Sequence, residues 1–189
     1  MTAVAGPREG AGARARDGTE RSGAAAREQG DAGRTRRRRL ALVASKGTLD
    51  GAYPPLILAA TAASLGWEVG IFFTFYGLDI IHRKKHRRLK VAPVGNPAMP
   101  VPVPNLIGAL PGMTAAATAM MRGWMKRAKV PTVAEFLDIA RESGAKLIAC
   151  STTMGVMGVE AKDLVPGVDV AGAAAFLDFA ADADVSLFV

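Results

Sequence analysis

From residue 40 onward, apolar positions fall into two kinds of run. Four are short and almost continuously apolar: 40–45 (LALVAS), 68–75 (EVGIFFTF), 146–150 (KLIAC) and 185–189 (VSLFV). Their length and their β-branched and aromatic content predict buried strands. The longer segments between them carry helix signals. An Ala-rich helix is predicted from Asp50 or Gly51, with Pro54 and Pro55 in its first turn, where a missing N–H costs least, and with Gly66 as its stop. Leu78–Leu89 predicts a helix ending in a basic cluster, and 114–127 predicts another. Thr132-Val133-Ala134-Glu135 reads as a capping box, with Thr132 as N-cap and Glu135 as its partner. Val133, Phe136, Leu137 and Ala140 then share one apolar face, which Gly144 ends. Val170–Ala183 predicts a last helix, and a fifth strand is expected near 89–92 or 165–170. No internal repeat is present.

Alternating strands and helices, with strands that read as apolar throughout, imply a mostly parallel sheet of about five strands covered by helices on both faces, an α/β fold. Ligands of such sheets gather beyond the carboxyl ends of the strands. That rule selects three groups: Ser45-Lys46-Gly47, Thr74-Phe75-Tyr76-Gly77 and Cys150-Ser151-Thr152.

Charge changes the picture less than the total suggests. The 189 residues carry a net charge of +7. Residues 1–39 hold ten Arg against five acids, a net of +5, so the remainder contributes only +2. The segment 1–39 is nearly all Ala, Gly, Arg, Glu and Thr, too polar to offset its ordering entropy, and is expected to be a disordered tail ahead of one α/β domain at 40–189. Nucleic acid is therefore not an expected partner of the domain. Twin arginines before Leu40–Ala44 look like an export signal, but Lys46 and Asp50 cut the apolar run short of the roughly 7–15 residues such a signal needs. The uncharged stretch 51–67 contains two prolines and is read as a helix packed on a sheet. The stretch between Lys90 and Arg122 holds six prolines, which no regular spanning helix tolerates. A cytoplasmic protein is expected, with peripheral membrane contact through a cationic amphipathic helix as the alternative.

Few residues carry chemistry. Lys46-Gly47-Thr48 lacks the rest of a phosphate loop, and no dinucleotide fingerprint exists, so no cofactor is expected. His82 and His86, spaced i and i+4, could share a metal on one helix face, but five neighbouring cations oppose a dication and no third ligand is evident; the segment reads as a solvated basic helix end, with no metal. One cysteine excludes a disulfide framework. That residue, Cys150, ends a strand and precedes Ser151-Thr152-Thr153-Met154. A helical turn starting there would aim unpaired N–H groups at the sulfur and favour thiolate. The plainer alternative is an inert buried thiol, as free Cys usually is.

The stretch 146–189 resembles the C-terminal half of DsrE/DsrF/DsrH-like proteins. The residues that carry this likeness are Cys150 with Met154, Met157 and Gly158, then Glu160, Asp163-Leu164, Gly167-Val168 and the closing ADVSLFV. The segment ASKGTLDGAYPPLILAATAASLGWEVGIFFTFYGLDII, the Pro-rich segment and the Met-rich helix are similar to the longer DsrE-type branch linked to sulfur metabolism, sometimes labelled peroxiredoxin-like. The resemblance spans about 40–189. It implies a three-layer flavodoxin-like sandwich and a sulfur carrier or sulfurtransferase, more a carrier than a turnover enzyme, whose cysteine, here Cys150, holds sulfane sulfur as a persulfide. Ser151, Thr152, Met154, Lys46, Gly47 and Tyr76 are the expected neighbours of that site. Some relatives have a second cysteine; this chain has none, so a partner must take the sulfur, and the family suggests a TusA-like carrier or a rhodanese-like donor. An assembly subunit with an inert cysteine is the rival reading. Relatives form trimers or hexamers, and the apolar Met/Trp helix adds to that expectation: Met113, Ala117, Met120 and Trp124 recur on one side, which points to a homo-oligomer with Met120, Met121 and Trp124 near an interface.

Overall fold

The computed structural model describes residues 36–92 and 112–189. The chain divides into two units, 1–36 and 37–189, and the fold is that of the second. The expected disordered tail up to residue 35 and the Pro-rich segment 93–111 lie outside the described residues.

Five strands form one sheet: β1 (Arg39–Ala44), β2 (Glu68–Phe73), β3 (Lys146–Cys150), β4 (Val168–Ala171) and β5 (Val185–Phe188). Their order is β4-β3-β2-β1-β5, and every pairing is parallel. The α/β fold is therefore as the alternation of runs implies, and β4 is the fifth strand. The helices are α1 (Leu49–Ser64), α2 (Leu78–Ile81), α3 (Met113–Arg127), α4 (Val133–Glu142), α5 (Ser151–Met157) and α6 (Ala173–Ala181).

Side-chain alternation sorts the strands into two cores. Leu40, Leu42, Ala44, Val69, Ile71, Phe73, Leu147 and Ala149 point to one face, beneath α1 and α4. Ala41, Phe72, Ile148 and Cys150 point to the other, where Phe176 and Phe179 of α6 cover them. Phe72 and Phe176 stack at 4.8 Å. The first core is the deeper one: Leu42, Ile71 and Phe73 have no exposed surface, each contributing about 1.5–3 kcal/mol by burial. Thr132 caps α4 through the full capping box read from the sequence, its hydroxyl accepting from Glu135 N and Glu135 accepting from Thr132 N.

The structure corrects several expectations. Arg39, expected as the last residue of the tail, belongs to β1: its Nε donates to Glu68 Oε2 at 2.8 Å, and its guanidinium lies over the Phe179 ring. Helix α1 begins at Leu49 with Thr48 as its cap, so Pro54 and Pro55 fall inside it, beyond the first turn. The predicted helix 78–89 stops after one turn. His82 is extended and bridges Leu164 antiparallel, with Arg83 N donating to Asp163 O and Val165 N to Ile81 O. This pairing outcompetes a helix that would have strung like charges together. A separate 3₁₀ turn, His86–Arg88, follows. His82 and His86 therefore share no helix face. His86 is not a solvated helix end either; it is buried, with Nδ1 2.9 Å from His82 O. Among the described residues no three His, Cys, Asp or Glu side chains cluster as metal ligands, and no helix is long and apolar enough to cross a membrane.

Candidate functional site

Parallel strands put their carboxyl ends on one edge of the sheet, and three loops leave that edge side by side. Register brings them together: Ala44 pairs with Phe73, and Phe73 with Ala149. Residues 45–48, 74–77 and 150–153 thus form neighbouring corners. Two glycines let the first two loops touch through backbone. A Cβ on Gly47 would collide with Tyr76 O, and one on Gly77 with Ala44 O. Gly77 N donates to Ser45 O at 3.1 Å, and Thr74 N to Ala44 O at 3.0 Å. Between them Phe75 adopts the left-handed conformation (φ 46°), which costs a non-glycine residue about 1–2 kcal/mol. That turn leaves Phe75 and Tyr76 exposed.

Cys150 sits at the third corner. It is the last residue of β3 and the N-cap of α5, with extended backbone (φ −67°, ψ 110°), and is 6% exposed. Burial alone pushes its thiol pKa up, and this is the largest single influence on it. Four donors oppose it: the Thr153 hydroxyl and backbone N–H, the Thr74 hydroxyl, and the Thr152 N–H. Together they outweigh burial, and the thiol is held below its ordinary value. All four donate, so they bond thiolate better than thiol. The two hydroxyls are also 3.0 Å from each other. Their two protons allow two arrangements: both on sulfur, or Thr74 donating to Thr153 and Thr153 to sulfur. Either way a thiolate at this buried corner would be met by oriented dipoles.

The structure brings some expected neighbours to the sulfur and leaves others at a distance. Thr152 contributes its N–H to it. Ser151 is exposed beside Gly172, and Met154 is buried in the first core. Lys46, Gly47 and Tyr76 shape the adjoining loops, but none of them bonds the sulfur among the described residues. Of the two hydroxyl donors, Thr74 belongs to the strand-end groups selected from the sequence, though not as a neighbour of the sulfur, and Thr153 lies outside those groups. Thr153 stands three positions after Cys150, and Thr74 becomes its neighbour once β2 and β3 are in register. On α3, Met120 and Trp124 are exposed, whereas Met121 packs against the first core.

Fold and site together define a class: a wholly parallel five-stranded α/β domain with one cysteine at the carboxyl end of an interior strand, braced by hydroxyl and main-chain donors. The chain belongs to the DsrE/DsrF/DrsH-like family, whose model matches residues 36–188. It is 46% identical over 158 residues to a protein of Allochromatium vinosum named sulfur carrier protein DsrE2, covering 80% of this chain and 98% of that one. It is 31% identical over 162 residues to the uncharacterized protein YrkE of Bacillus subtilis, covering 80% and 97%. The crystal structure of the ychN protein from E. coli has the same fold, with a TM-score of 0.52 at 12% identity, over 80% of this chain and 99% of that one.

Proposed function

We propose that this protein is a sulfur carrier that holds sulfane sulfur as a persulfide on Cys150. The observation that carries the proposal is the place of Cys150 at the carboxyl end of β3 and the start of α5, where the Thr153 and Thr74 hydroxyls help to hold its thiol pKa down; the similarity to a protein named as a sulfur carrier supports it. In the loading step, Cys150 thiolate attacks the outer sulfur of a donor persulfide. A new sulfur–sulfur bond forms on Cys150, the donor's sulfur–sulfur bond breaks, and the donor leaves as thiolate. In the unloading step, a partner thiolate attacks the outer sulfur; Cys150 leaves as thiolate and the partner becomes the persulfide. Neither step changes the overall oxidation level, and both are ordinary thiol–disulfide-type exchange.

The donors around Cys150 serve both steps. They raise the fraction of attacking thiolate, and they make Cys150 a better leaving group when the sulfur moves on. Because the chain has a single cysteine, no internal thiol intercepts the persulfide, and discharge requires a partner. A rhodanese-like donor and a TusA-like acceptor fit this chemistry, in the cytoplasm, where thiols stay reduced. The working unit is the domain at 37–189, whose sheet begins with β1 at Arg39.

A direct test is to load the protein with a persulfide donor, remove the donor, and add an acceptor peptide with one thiol. Sulfur is expected to appear on the peptide in step with its loss from Cys150, and the Cys150→Ser protein should transfer none. Equal transfer by the serine variant would refute the carrier role and leave an assembly subunit with an inert thiol.

A further inference from the structure

A cavity of about 290 Å³ lies on the other side of β3 from the sulfur. Leu147, one of its walls, belongs to the α1/α4 face of the sheet, whereas Cys150 points to the α6 face. The remaining apolar walls are Ala134, Leu137, Val165 and Pro166, so about half of the lining is apolar. Three guanidinium groups line the same space: Arg83, Arg87 and Arg141.

Each of these groups donates to a neutral acceptor, and Arg141 also to a carboxylate. Arg83 Nε donates to Leu164 O at 2.8 Å, and Arg141 donates through one terminal nitrogen to Pro166 O at 3.4 Å. Arg87 Nε donates to His86 Nε2 at 3.3 Å. The other ring nitrogen of His86 lies 2.9 Å from His82 O. The His86 ring thus lies between His82 O and Arg87 Nε and orients Arg87. Among the described residues, Asp138 is the one carboxylate lining the cavity, and it is bonded to Arg141 at 2.8 Å. Three cations thus face one anion, an excess of two positive charges. Among the described residues, the terminal nitrogens of Arg83 and Arg87 have no acceptor. Guanidinium forks suit oxygen anions, which they bind bidentately.

We propose that this cavity is a binding site for a small organic dianion, an oxoanion group of two charges on an apolar body. The charge excess sets the two negative charges, and the apolar walls set the body. The volume, at the low end of about 300–1,000 Å³ for ligand pockets, sets the small size. The site does not rest on the chemistry of Cys150.

Calorimetric titration of the full chain tests it with four probes: phenyl phosphate, phthalate, benzoate and inorganic phosphate. Phenyl phosphate or phthalate is expected to bind about tenfold more tightly than benzoate, which has one charge, and than inorganic phosphate, which has no apolar body. Whichever dianion binds better identifies a phosphomonoester or a dicarboxylate as the source. Arg87→Ala should lower that affinity about tenfold or more, and Arg87→Lys by less, because the charge stays while the fork is lost. Arg87 holds only the His86 ring through its side chain, so these variants should fold, which melting curves check; Arg127→Ala, outside the cavity, should bind as the parent does. Benzoate or inorganic phosphate binding as tightly as the dianions, or Arg87→Ala binding unchanged, would overturn the proposal.

Discussion

Two threonines determine how reactive the one thiol is. If the Thr153 hydroxyl meets the sulfur charge, Thr153→Val should raise the Cys150 pKa while nearly preserving side-chain shape. The measurement is the rate of alkylation against pH. In the parent protein the rate should reach half its maximum below the ordinary thiol value of about 8.5. A group whose folded pKa is lowered is more ionised at a given pH, so reactivity at neutral pH should exceed that of an unfolded control. Thr153→Val should shift the midpoint upward, and Thr74→Val should do so to a smaller extent; an unmoved midpoint in both would remove the hydroxyls from the account. The position of Cys150 at a strand end was legible in KLIAC followed by small polar residues. Its hydroxyl partners were not: Thr74 reaches it only through β2–β3 register, and local pattern does not encode register.

Elements and their corners explain why the site is rigid. The β1 and β2 loops meet backbone to backbone at Gly47 and Gly77, with no room for a methyl group. Gly77→Ala should therefore cost about 1–3 kcal/mol, as overpacking does, and should disturb Cys150 reactivity with it, since Thr74 lies in the same turn. Urea unfolding together with the alkylation profile measures both effects; an unchanged midpoint would contradict the contact. At the opposite edge of the sheet, Glu68 joins β1, β2 and β3. Its Oε1 accepts from Lys146 Nζ at 2.9 Å and its Oε2 from Arg39 Nε at 2.8 Å. The Lys146 hydrogen bond is the chief cause of a carboxyl pKa below its ordinary 4.5. A lowered carboxylate stabilises the fold above the unfolded pKa and ceases to as pH falls through the folded one. Glu68→Gln should thus cost about 0.5–1 kcal/mol near neutral pH, and the gap to the parent should close in acid below the carboxylate range. A gap that does not change with pH would exclude the ion pairs as its source. Strands were legible here because buried parallel strands are continuously apolar. The break at His82 was not, because its cause is Leu164, far along the chain.

At the scale of the molecule, the two faces of the sheet are unequally covered. Among the described residues a single helix lies on the α6 side, and large apolar side chains are exposed there: Leu177, and Leu187 and Phe188 on the edge strand β5. Met120 and Trp124 on α3 add to the exposed apolar surface. Surfaces of this kind mark association, and closed homo-oligomers are the usual way to cover them. Light scattering at micromolar concentration should give a multiple of the 19.6 kDa chain mass. Trp124→Ala and Phe188→Ser should each shift the population toward the monomer if their patch lies in the contact, and a monomeric parent protein would contradict self-association. The sequence pattern puts Met120, Met121 and Trp124 together at an interface, but helix phase turns Met121 toward the first core. A period of apolar residues shows that a face exists without showing which side of the helix meets the sheet.

Whether Cys150 carries sulfur can be read by mass spectrometry of the protein after incubation with a persulfide donor. The account predicts a gain of about 32 Da, one sulfur atom, on the peptide containing Cys150. Reductant should reverse the gain, and the Cys150→Ser protein should lack it. A parent protein that gains no mass with any persulfide donor, while its thiol alkylates readily, would contradict the account.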